Sequence, residues 1–219
     1  MNKTVAFFHT TMNTPLPLKQ AFYRRFPDDR LITVMDDSVL PEVIANEGSF
    51  TPGIVRRLVS FGSNAQMQGA CVAMCMCTTL TEAVAQAGLA LDIPFITIDG
   101  PMLDRAVREG ERVALLITAD TTFRASSRSA KQAALRAGRE QVQIDTILVE
   151  GAFDALNKKQ DKALHDRLIV EAAEKAVLTH DVIALAQVSM VDAAAQLKHL
   201  PVPVLTSLDS GIEQLASYI

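Results

Sequence analysis

The 219-residue sequence has few cysteines, no long run of basic residues and no uninterrupted apolar segment of membrane-spanning length. Its three cysteines are odd in number and clustered, which argues against a disulfide framework. With 21 basic and 25 acidic residues and no basic run, nucleic acid is a poor partner. The apolar stretch 69–98 is broken by Glu82, Asp92 and Pro94, whereas a membrane helix needs about 20 mostly apolar residues. The N-terminus lacks a signal-peptide layout, so we expect a soluble, cytoplasmic protein with no nucleic-acid or membrane partner.

Several motifs of known chemistry are also missing. There is no glycine-rich phosphate loop and no Ser-His-Asp signature. Cys71, Cys75 and Cys77 have a spacing that is not typical of zinc sites, and no histidine lies nearby. We therefore expect no metal and no cofactor, with Cys71 and Cys75 as core residues. What the chain does have is 49% apolar residues, enough to bury a sizeable core.

The most informative feature is an internal repeat. The segment Cys77-Thr-Thr-Leu-Thr-Glu-Ala-Val-Ala-Gln has a counterpart in Gln187-Val-Ser-Met-Val-Asp-Ala-Ala-Ala-Gln. The number of residues from Cys77 to Asp99 equals the number from Gln187 to Asp209. A repeat length of roughly 110 residues is too long for a solenoid. It fits two α/β halves that face each other across a cleft.

Apolar runs alternate with helical patterns in both halves, which predicts parallel sheets. Strands are predicted at Thr4–Phe8, Leu31–Met35, Cys71–Met76, Phe95–Ile98, Val113–Ile117, Gln143–Val149, Val182–Ala186 and Val202–Thr206. Asp99-Gly-Pro is interpreted as a turn or crossover. The predicted fold is α/β, with two pseudo-symmetric three-layer α/β/α halves and mostly parallel four-stranded sheets. The first half comprises residues 1–99 plus 207–219 and the second residues 100–206.

Cys77 is the main candidate for chemistry, because ligands of such sheets bind beyond the carboxyl ends of the strands. It follows a strand and precedes a helix, whose N-terminus is expected to lower the pKa of the thiol. Thr78 and Thr79 add hydroxyl groups and can cap that helix. The alternative is that Cys77 is a small buried hydrophobic residue.

Two further strand-end residues have open roles. His9, expected level with Cys77, is a candidate to take the thiol proton or bind a ligand carboxylate, or it is only a polar strand end. Asp36 either caps a turn or contacts the substrate. The remaining histidines are expected to be solvated: His165, His180 and His199.

These motifs together resemble the aspartate/glutamate racemase superfamily, which includes hydantoin racemases, maleate isomerases and arylmalonate decarboxylases. Cys77-Thr-Thr matches the family's first Cys-(Asn/Ser/Thr)-Thr motif, and Ile93–Pro101 is similar to the segment that leads into the second half. Thr118, with Thr121 and Thr122, resembles the family's threonine-bearing loop. The resemblance spans nearly the whole chain and implies that two pseudo-symmetric halves each supply a cysteine to a central cleft.

The sequence departs from the family at two places. The second cysteine of a Gly-Cys-Thr-like motif is replaced by Gln187, and the first-strand loop reads His9-Thr-Thr where glutamate racemases have an aspartate and a serine. Glutamine does not exchange protons usefully near neutral pH, so one-base chemistry is open. This chemistry is isomerisation, decarboxylation with one protonation, or covalent addition of the thiolate.

The resemblance implies a cofactor-independent enzyme that moves a proton next to a carboxylate of a small amino acid or dicarboxylate. Cys77 would be the acid–base group, His9 would tune its thiol, and Gln187 would orient the intermediate. Substrate contacts are expected from Thr10, Thr11, Asp36, Thr78, Thr79, Thr118, Thr121 and Ser189. The alternatives are a one-cysteine decarboxylase or cis–trans isomerase, and a non-catalytic carboxylate-binding protein. Family members often dimerise, so a homodimer is plausible.

Overall fold

The computed structural model describes residues 2–12 and 14–219. The chain divides into two compact units. The first comprises Met1–Ile98 together with Leu208–Ile219, and the second comprises Asp99–Ser207. Among the described residues, none of the helices has the length and apolar character needed to cross a membrane.

The first unit contains a four-stranded sheet in the order β2-β1-β3-β4, in which all neighbouring strands are parallel. Its strands are β1 (Thr4–His9), β2 (Arg30–Met35), β3 (Ala70–Cys75) and β4 (Phe95–Thr97). Its helices are α1 (Pro15–Arg25), α2 (Val39–Ala45), α3 (Pro52–Met67) and α4 (Thr81–Gly88), with a 3-10 turn at Thr78–Leu80. The register pairs Phe8 of β1 with Cys75 of β3.

The second unit contains a sheet in the order β6-β5-β7-β8, again with parallel neighbours. Its strands are β5 (Arg112–Ile117), β6 (Gln143–Leu148), β7 (Val182–Leu185) and β8 (Val204–Thr206). Its helices are α5 (Gly100–Glu109), α6 (Phe123–Arg136), α7 (Ala152–Asn157), α8 (Lys162–Ala176) and α9 (Val191–Gln196). Short 3-10 turns lie at Asp120–Thr122 and Val188–Met190. The helix α10 (Ser207–Gln214) begins at the last residue of the second unit, and the rest of it belongs to the first unit together with the 3-10 turn Leu215–Ser217. The two sheets confirm the predicted α/β fold class.

Each sheet is covered by buried apolar residues contributed by the flanking helices. In the first unit, Phe8 and Cys75 belong to a cluster with Leu58 and Phe61 of α3. Phe7 points the other way and contacts Phe22 of α1, with ring centroids 5.7 Å apart. Adjacent residues of β1 therefore serve opposite faces, as the period of two requires. The second sheet is likewise packed on both faces.

One helix, α5, contradicts an expectation from the sequence. Of the alternatives turn or crossover for Asp99-Gly-Pro, the turn is wrong beyond Asp99, because Gly100 and Pro101 begin α5; Pro101 lies in the first helical turn, where a missing N–H costs nothing. Met102, Leu103, Ala106 and Val107 then form its buried face. A helix start and a turn share the same sequence signal here.

Two histidines expected on the surface are buried. His165 of α8 has no exposed surface and its Nδ1 lies 2.8 Å from the carboxylate of Asp166. His180 is 9% exposed, and its Nε2 lies 3.0 Å from Asp145. Each histidine is buried beside a carboxylate, which satisfies one ring nitrogen away from water. His199 has a side chain that is 57% exposed, as expected.

Candidate active site

Cys77 lies at the carboxyl end of β3, as the N-cap residue of the 3-10 turn Thr78–Leu80. Its side chain is half-buried and packs against the first-unit core. The predicted capping role of Thr78 and Thr79 is wrong, because the 3-10 turn separates them from α4, which has Leu80 as its N-cap. Both threonines are nevertheless buried, at 5% and 7% exposure, and the Thr79 hydroxyl bonds the thiol.

The pKa of the Cys77 thiol is raised rather than lowered. Burial raises this pKa, and it outweighs hydrogen bonds from the hydroxyls of Thr10 and Thr79 and from the backbone N–H groups of Thr79 and Leu80, which lower it. The expectation of a lowered pKa is therefore wrong in direction, because desolvation of the charged form exceeds the stabilisation from the turn. The thiol is neutral at pH 7, and the surrounding hydrogen-bond donors would stabilise a thiolate once it forms.

Thr10, not His9, is the partner of Cys77 on the neighbouring strand. The register pairs Phe8 with Cys75, so two residues further Thr10 is level with Cys77. The thiol shares the face of Phe8 and Cys75, whereas His9 shares the face of Phe7, with ring centroids 6.2 Å apart. The prediction that His9 is level with Cys77 is wrong by one residue, and in a strand one residue changes the face.

His9 is a buried, neutral side chain. It has no exposed surface, and burial lowers its pKa to about 4. Its Nδ1 lies 2.9 Å from the hydroxyl of Thr14, whereas its Nε2 has no hydrogen-bond partner among residues 2–12 and 14–219. A base with this pKa is a weak acceptor for a thiol proton at neutral pH.

Asp36 follows β2 and is held by other protein groups. Its Oδ1 accepts hydrogen bonds from the backbone N–H and hydroxyl of Ser38, at 3.1 and 2.5 Å, and its Oδ2 forms an ion pair with Arg57 at 3.0 Å. Partial burial raises the pKa of this carboxyl, but the bonds from Ser38 and Arg57 outweigh it and the net pKa is lowered. These contacts favour the interpretation of Asp36 as a turn and cap residue.

Gln187 occupies the position in the second unit that Cys77 has in the first, at the end of the third strand and as N-cap of a 3-10 turn. Its Oε1 accepts hydrogen bonds from the N–H and hydroxyl of Thr118, at 2.9 and 3.3 Å. Its Nε2 donates to the hydroxyl of Thr122 at 3.2 Å. The amide orientation is therefore fixed, and one N–H of the side chain is not used by these bonds.

The remaining predicted residues follow strand ends in their own units: Thr11 in the first, Thr121 and Ser189 in the second. Thr11 is half-buried and its carbonyl accepts a bond from Thr14 at 3.3 Å. Thr121 and Ser189 are half-buried. Thr14 was not predicted at all. Its only signal was a hydroxyl residue before Pro15, which suggests a helix cap rather than a site.

The other two cysteines make structural contacts, and the Cys75 thiol donates to the backbone carbonyl of Cys77 at 3.7 Å. The Cys71 thiol donates to the carbonyl of Thr4 at 3.3 Å, and Cys75 is fully buried in the first core. Within the described residues, no group of three or more histidine, cysteine or acidic side chains is arranged to hold a metal ion. A cavity of about 420 Å³ lies in the second unit between the end of β6 and α8, and it includes none of the predicted site residues.

Residues 16–215 match the family model described as Asp/Glu/Hydantoin racemase, so the chain belongs to that family. No curated protein sequence matches the chain. The family assignment confirms the resemblance seen in the motifs.

Solved structures agree with the fold. Glutamate racemase RacE1 from Bacillus anthracis has 14% identity and a TM-score of 0.70, covering 98% of this chain and 80% of its own. Allantoin racemase from Klebsiella pneumoniae has 16% identity and a TM-score of 0.70, covering 99% and 87%. Unliganded arylmalonate decarboxylase has 18% identity and a TM-score of 0.57, covering 99% and 93%. At these identities the similarity shows the fold alone.

Proposed function

We propose that this protein is a cofactor-independent enzyme that transfers a proton at the carbon next to a carboxylate of a small amino acid or dicarboxylate. Cys77 would be the single acid–base group. The observation that carries the proposal is the placement of Cys77 at a strand end, with hydroxyl and N–H donors from Thr10, Thr79 and Leu80 around its sulfur. Membership of the racemase family supports the same reaction type.

The raised pKa of the Cys77 thiol favours a resting state in which the thiol is a proton donor. When the thiol protonates a carbanion next to a carboxylate, a C–H bond forms and the S–H electron pair stays on sulfur. The resulting thiolate is then stabilised by Thr10, Thr79 and the N–H of Leu80. In an isomerisation the Cys77 thiol first loses its proton to water, the thiolate then takes a proton from the substrate, and the S–H group so formed returns that proton to the product.

Decarboxylation is a second candidate, which Gln187 favours. Two-base racemisation needs a second group that exchanges protons. At the position of the family's second cysteine this chain has Gln187, whose amide is held by Thr118 and Thr122 and does not exchange protons usefully near neutral pH. Decarboxylation needs only one proton: carbon dioxide leaves, the thiol protonates the carbanion, and water restores the thiol. Arylmalonate decarboxylase is among the structurally similar proteins, and its reaction class is compatible with one acid. The cis–trans isomerase alternative also needs a single cysteine.

The polar residues near Cys77 would bind the substrate carboxylate. Thr78 and Thr79 supply hydroxyls from the turn, and Thr10 supplies one from the neighbouring strand end. Within the second unit, the bonds to Thr118 and Thr122 leave one N–H of the Gln187 amide unused. Asp36 has no place in this scheme because Arg57 and Ser38 occupy its oxygens.

The test is a panel of aspartate, glutamate, hydantoins, maleate and malonates incubated in D2O and followed by NMR. Wild type and Cys77→Ala would be compared, with Cys71→Ser as the control for loss of a thiol. Exchange with inversion indicates racemisation, and loss of carbon dioxide with one deuterium incorporated indicates decarboxylation. Carboxylate binding by the wild type without exchange, carbon dioxide or isomerised product would contradict an enzymatic role and favour the non-catalytic alternative.

A further inference from the structure

We propose that His9 and Thr14 form a hydrogen-bonded pair, here called the His9–Thr14 latch, that positions Thr10 against the Cys77 thiol. In this role His9 is a neutral donor, not an acceptor for the thiol proton. The inference deepens the proposed function, because it concerns the same thiol. Its test needs no substrate, so its failure and the failure of the proposed function are distinguishable.

The direction of the hydrogen bonds fixes the tautomer of His9. The Thr14 hydroxyl donates to the carbonyl of Thr11 at 3.3 Å. A hydroxyl has one hydrogen, so its oxygen must accept from His9, whose Nδ1 lies 2.9 Å away. The proton of the imidazole is therefore on Nδ1, and Nε2 has a buried lone pair with no partner in the described ranges.

Thr14 is free for this contact because its side chain makes no capping bond to the helix. It is the N-cap residue of α1, where a threonine hydroxyl ordinarily accepts from the second or third N–H of the helix. Here the third helical position is Pro17, which has no N–H, so of these two donors only the N–H of Leu16 is left. The Thr14 side chain accordingly makes no capping bond, and its hydroxyl serves His9 and Thr11 instead.

The latch fixes the two residues that flank Thr10 in the chain. His9, directly before Thr10, is anchored by its buried ring on the Phe7 face, and Thr11, directly after it, is bonded through its carbonyl to Thr14. Thr10 itself is 5% exposed and its hydroxyl bonds the thiol of Cys77. Fixing the two neighbours restricts the backbone of Thr10, and this keeps its hydroxyl in bonding position.

A role as proton acceptor does not fit the geometry. The His9 ring and the Cys77 thiol lie on opposite faces of the first sheet, since the ring contacts Phe7 and the thiol packs with the Phe8 cluster. The environment of the ring also disfavours a positive charge, which agrees with its pKa of about 4.

The experiment measures the apparent pKa of the Cys77 thiol from the pH dependence of its alkylation by iodoacetamide. Tandem mass spectrometry assigns the label to Cys77 rather than to Cys71 or Cys75. The variants are His9→Leu and Thr14→Val, which remove the latch bond, with His9→Asn and Thr14→Ser as matched controls that keep a donor and a hydroxyl. Each is also made in a Thr10→Val background.

We expect His9→Leu and Thr14→Val each to raise the apparent thiol pKa by about one unit, because the bond from Thr10 to the thiolate is weakened. His9→Asn and Thr14→Ser should stay near the wild-type value. In the Thr10→Val background the latch variants should cause no further change, because they act through Thr10. An unchanged thiol pKa in His9→Leu and Thr14→Val, or a shift that persists without the Thr10 hydroxyl, would overturn the proposal.

A second measurement uses the wild-type protein, so its result does not depend on whether a variant folds. The ¹⁵N chemical shifts of the His9 ring in the wild-type protein should show the Nδ1–H tautomer at pH 7, with no protonation before about pH 4. An Nε2–H tautomer, or titration of His9 near 6.5 together with loss of the Cys77 thiol proton, would show that His9 exchanges protons and would contradict the latch.

Discussion

The carbonyl oxygen of the Gln187 side chain accepts hydrogen bonds from both the N–H and the hydroxyl of Thr118, at 2.9 and 3.3 Å. Thr118 follows the first strand of its sheet, as Thr10 does in the first unit, where the hydroxyl bonds Cys77. The same pair of positions therefore carries a thiol in one unit and a fixed amide in the other. This asymmetry underlies the one-cysteine chemistry proposed above.

Gln187→Met tests the amide network in the second unit. Methionine matches the length of glutamine but leaves the buried Thr118 without its acceptor, which should lower the free energy of unfolding by about 1–3 kcal/mol. Urea denaturation measures the change. Gln196→Met, at an exposed glutamine, is the control and should change stability by less than about 0.5 kcal/mol. Equal stabilities of the two variants would contradict the network.

The lowered pKa of His9 predicts that the free energy of unfolding depends on pH, with a defined sign. Its folded pKa of about 4 lies below the ordinary value of 6.5, so between these values the unfolded chain binds more protons than the folded protein. The free energy of unfolding should therefore fall as the pH drops from 6.5 to 4, by up to about 3 kcal/mol from this group. Urea titrations at several pH values measure this slope.

The control for that slope is His9→Leu, in which the titrating group is gone. Its stability at pH 7 is free to differ from that of the wild type, because only the change between pH 6.5 and 4 is compared. A variant with the same slope as the wild type would show that His9 is not the group responsible.

Asp36→Asn should act on stability and not on substrate binding. The carboxylate is bonded by Ser38 and Arg57, and its lowered pKa means that it stabilises the fold above its ordinary pKa and loses this effect at lower pH. We expect a loss of about 1 kcal/mol at pH 7 and an unchanged KM. The exposed neighbour gives the control, Asp37→Asn. A KM that rises for Asp36→Asn alone would return Asp36 to the substrate contacts.

Gly211→Ala should destabilise the first unit. An added Cβ would lie 2.7 Å from the carbonyl oxygen of Ile98. This oxygen is a backbone atom and cannot rotate away as the end of a flexible side chain could. A loss of about 1–3 kcal/mol is expected in thermal or urea unfolding. Gly88→Ala is the matched control, since its Cβ would meet Phe95 at an ordinary 3.7 Å and alanine favours the helix. Similar losses in both variants would contradict this close approach.

The sequence predicted the sheets well because buried parallel strands are continuous apolar runs, as in Val113–Ile117. It missed α5 because Asp99-Gly-Pro is compatible with both a turn and a helix start. It also placed His9 beside Cys77, since the register between β1 and β3 depends on packing that a single sequence does not display. The direction of the Cys77 pKa likewise required knowledge of burial. The homodimer, the cytoplasmic location and the substrate contacts stay predictions.

The most direct test of the central claim compares Cys77→Ser with Cys71→Ser on the substrate that the D2O panel identifies. Serine keeps the shape of the side chain but has too high a pKa to exchange the proton. We expect kcat to fall by about 10²–10⁴-fold or more for Cys77→Ser, with unfolding free energy close to the wild type, and to stay near the wild-type value for Cys71→Ser. Undiminished kcat in Cys77→Ser would show that another group moves the proton and would contradict the account.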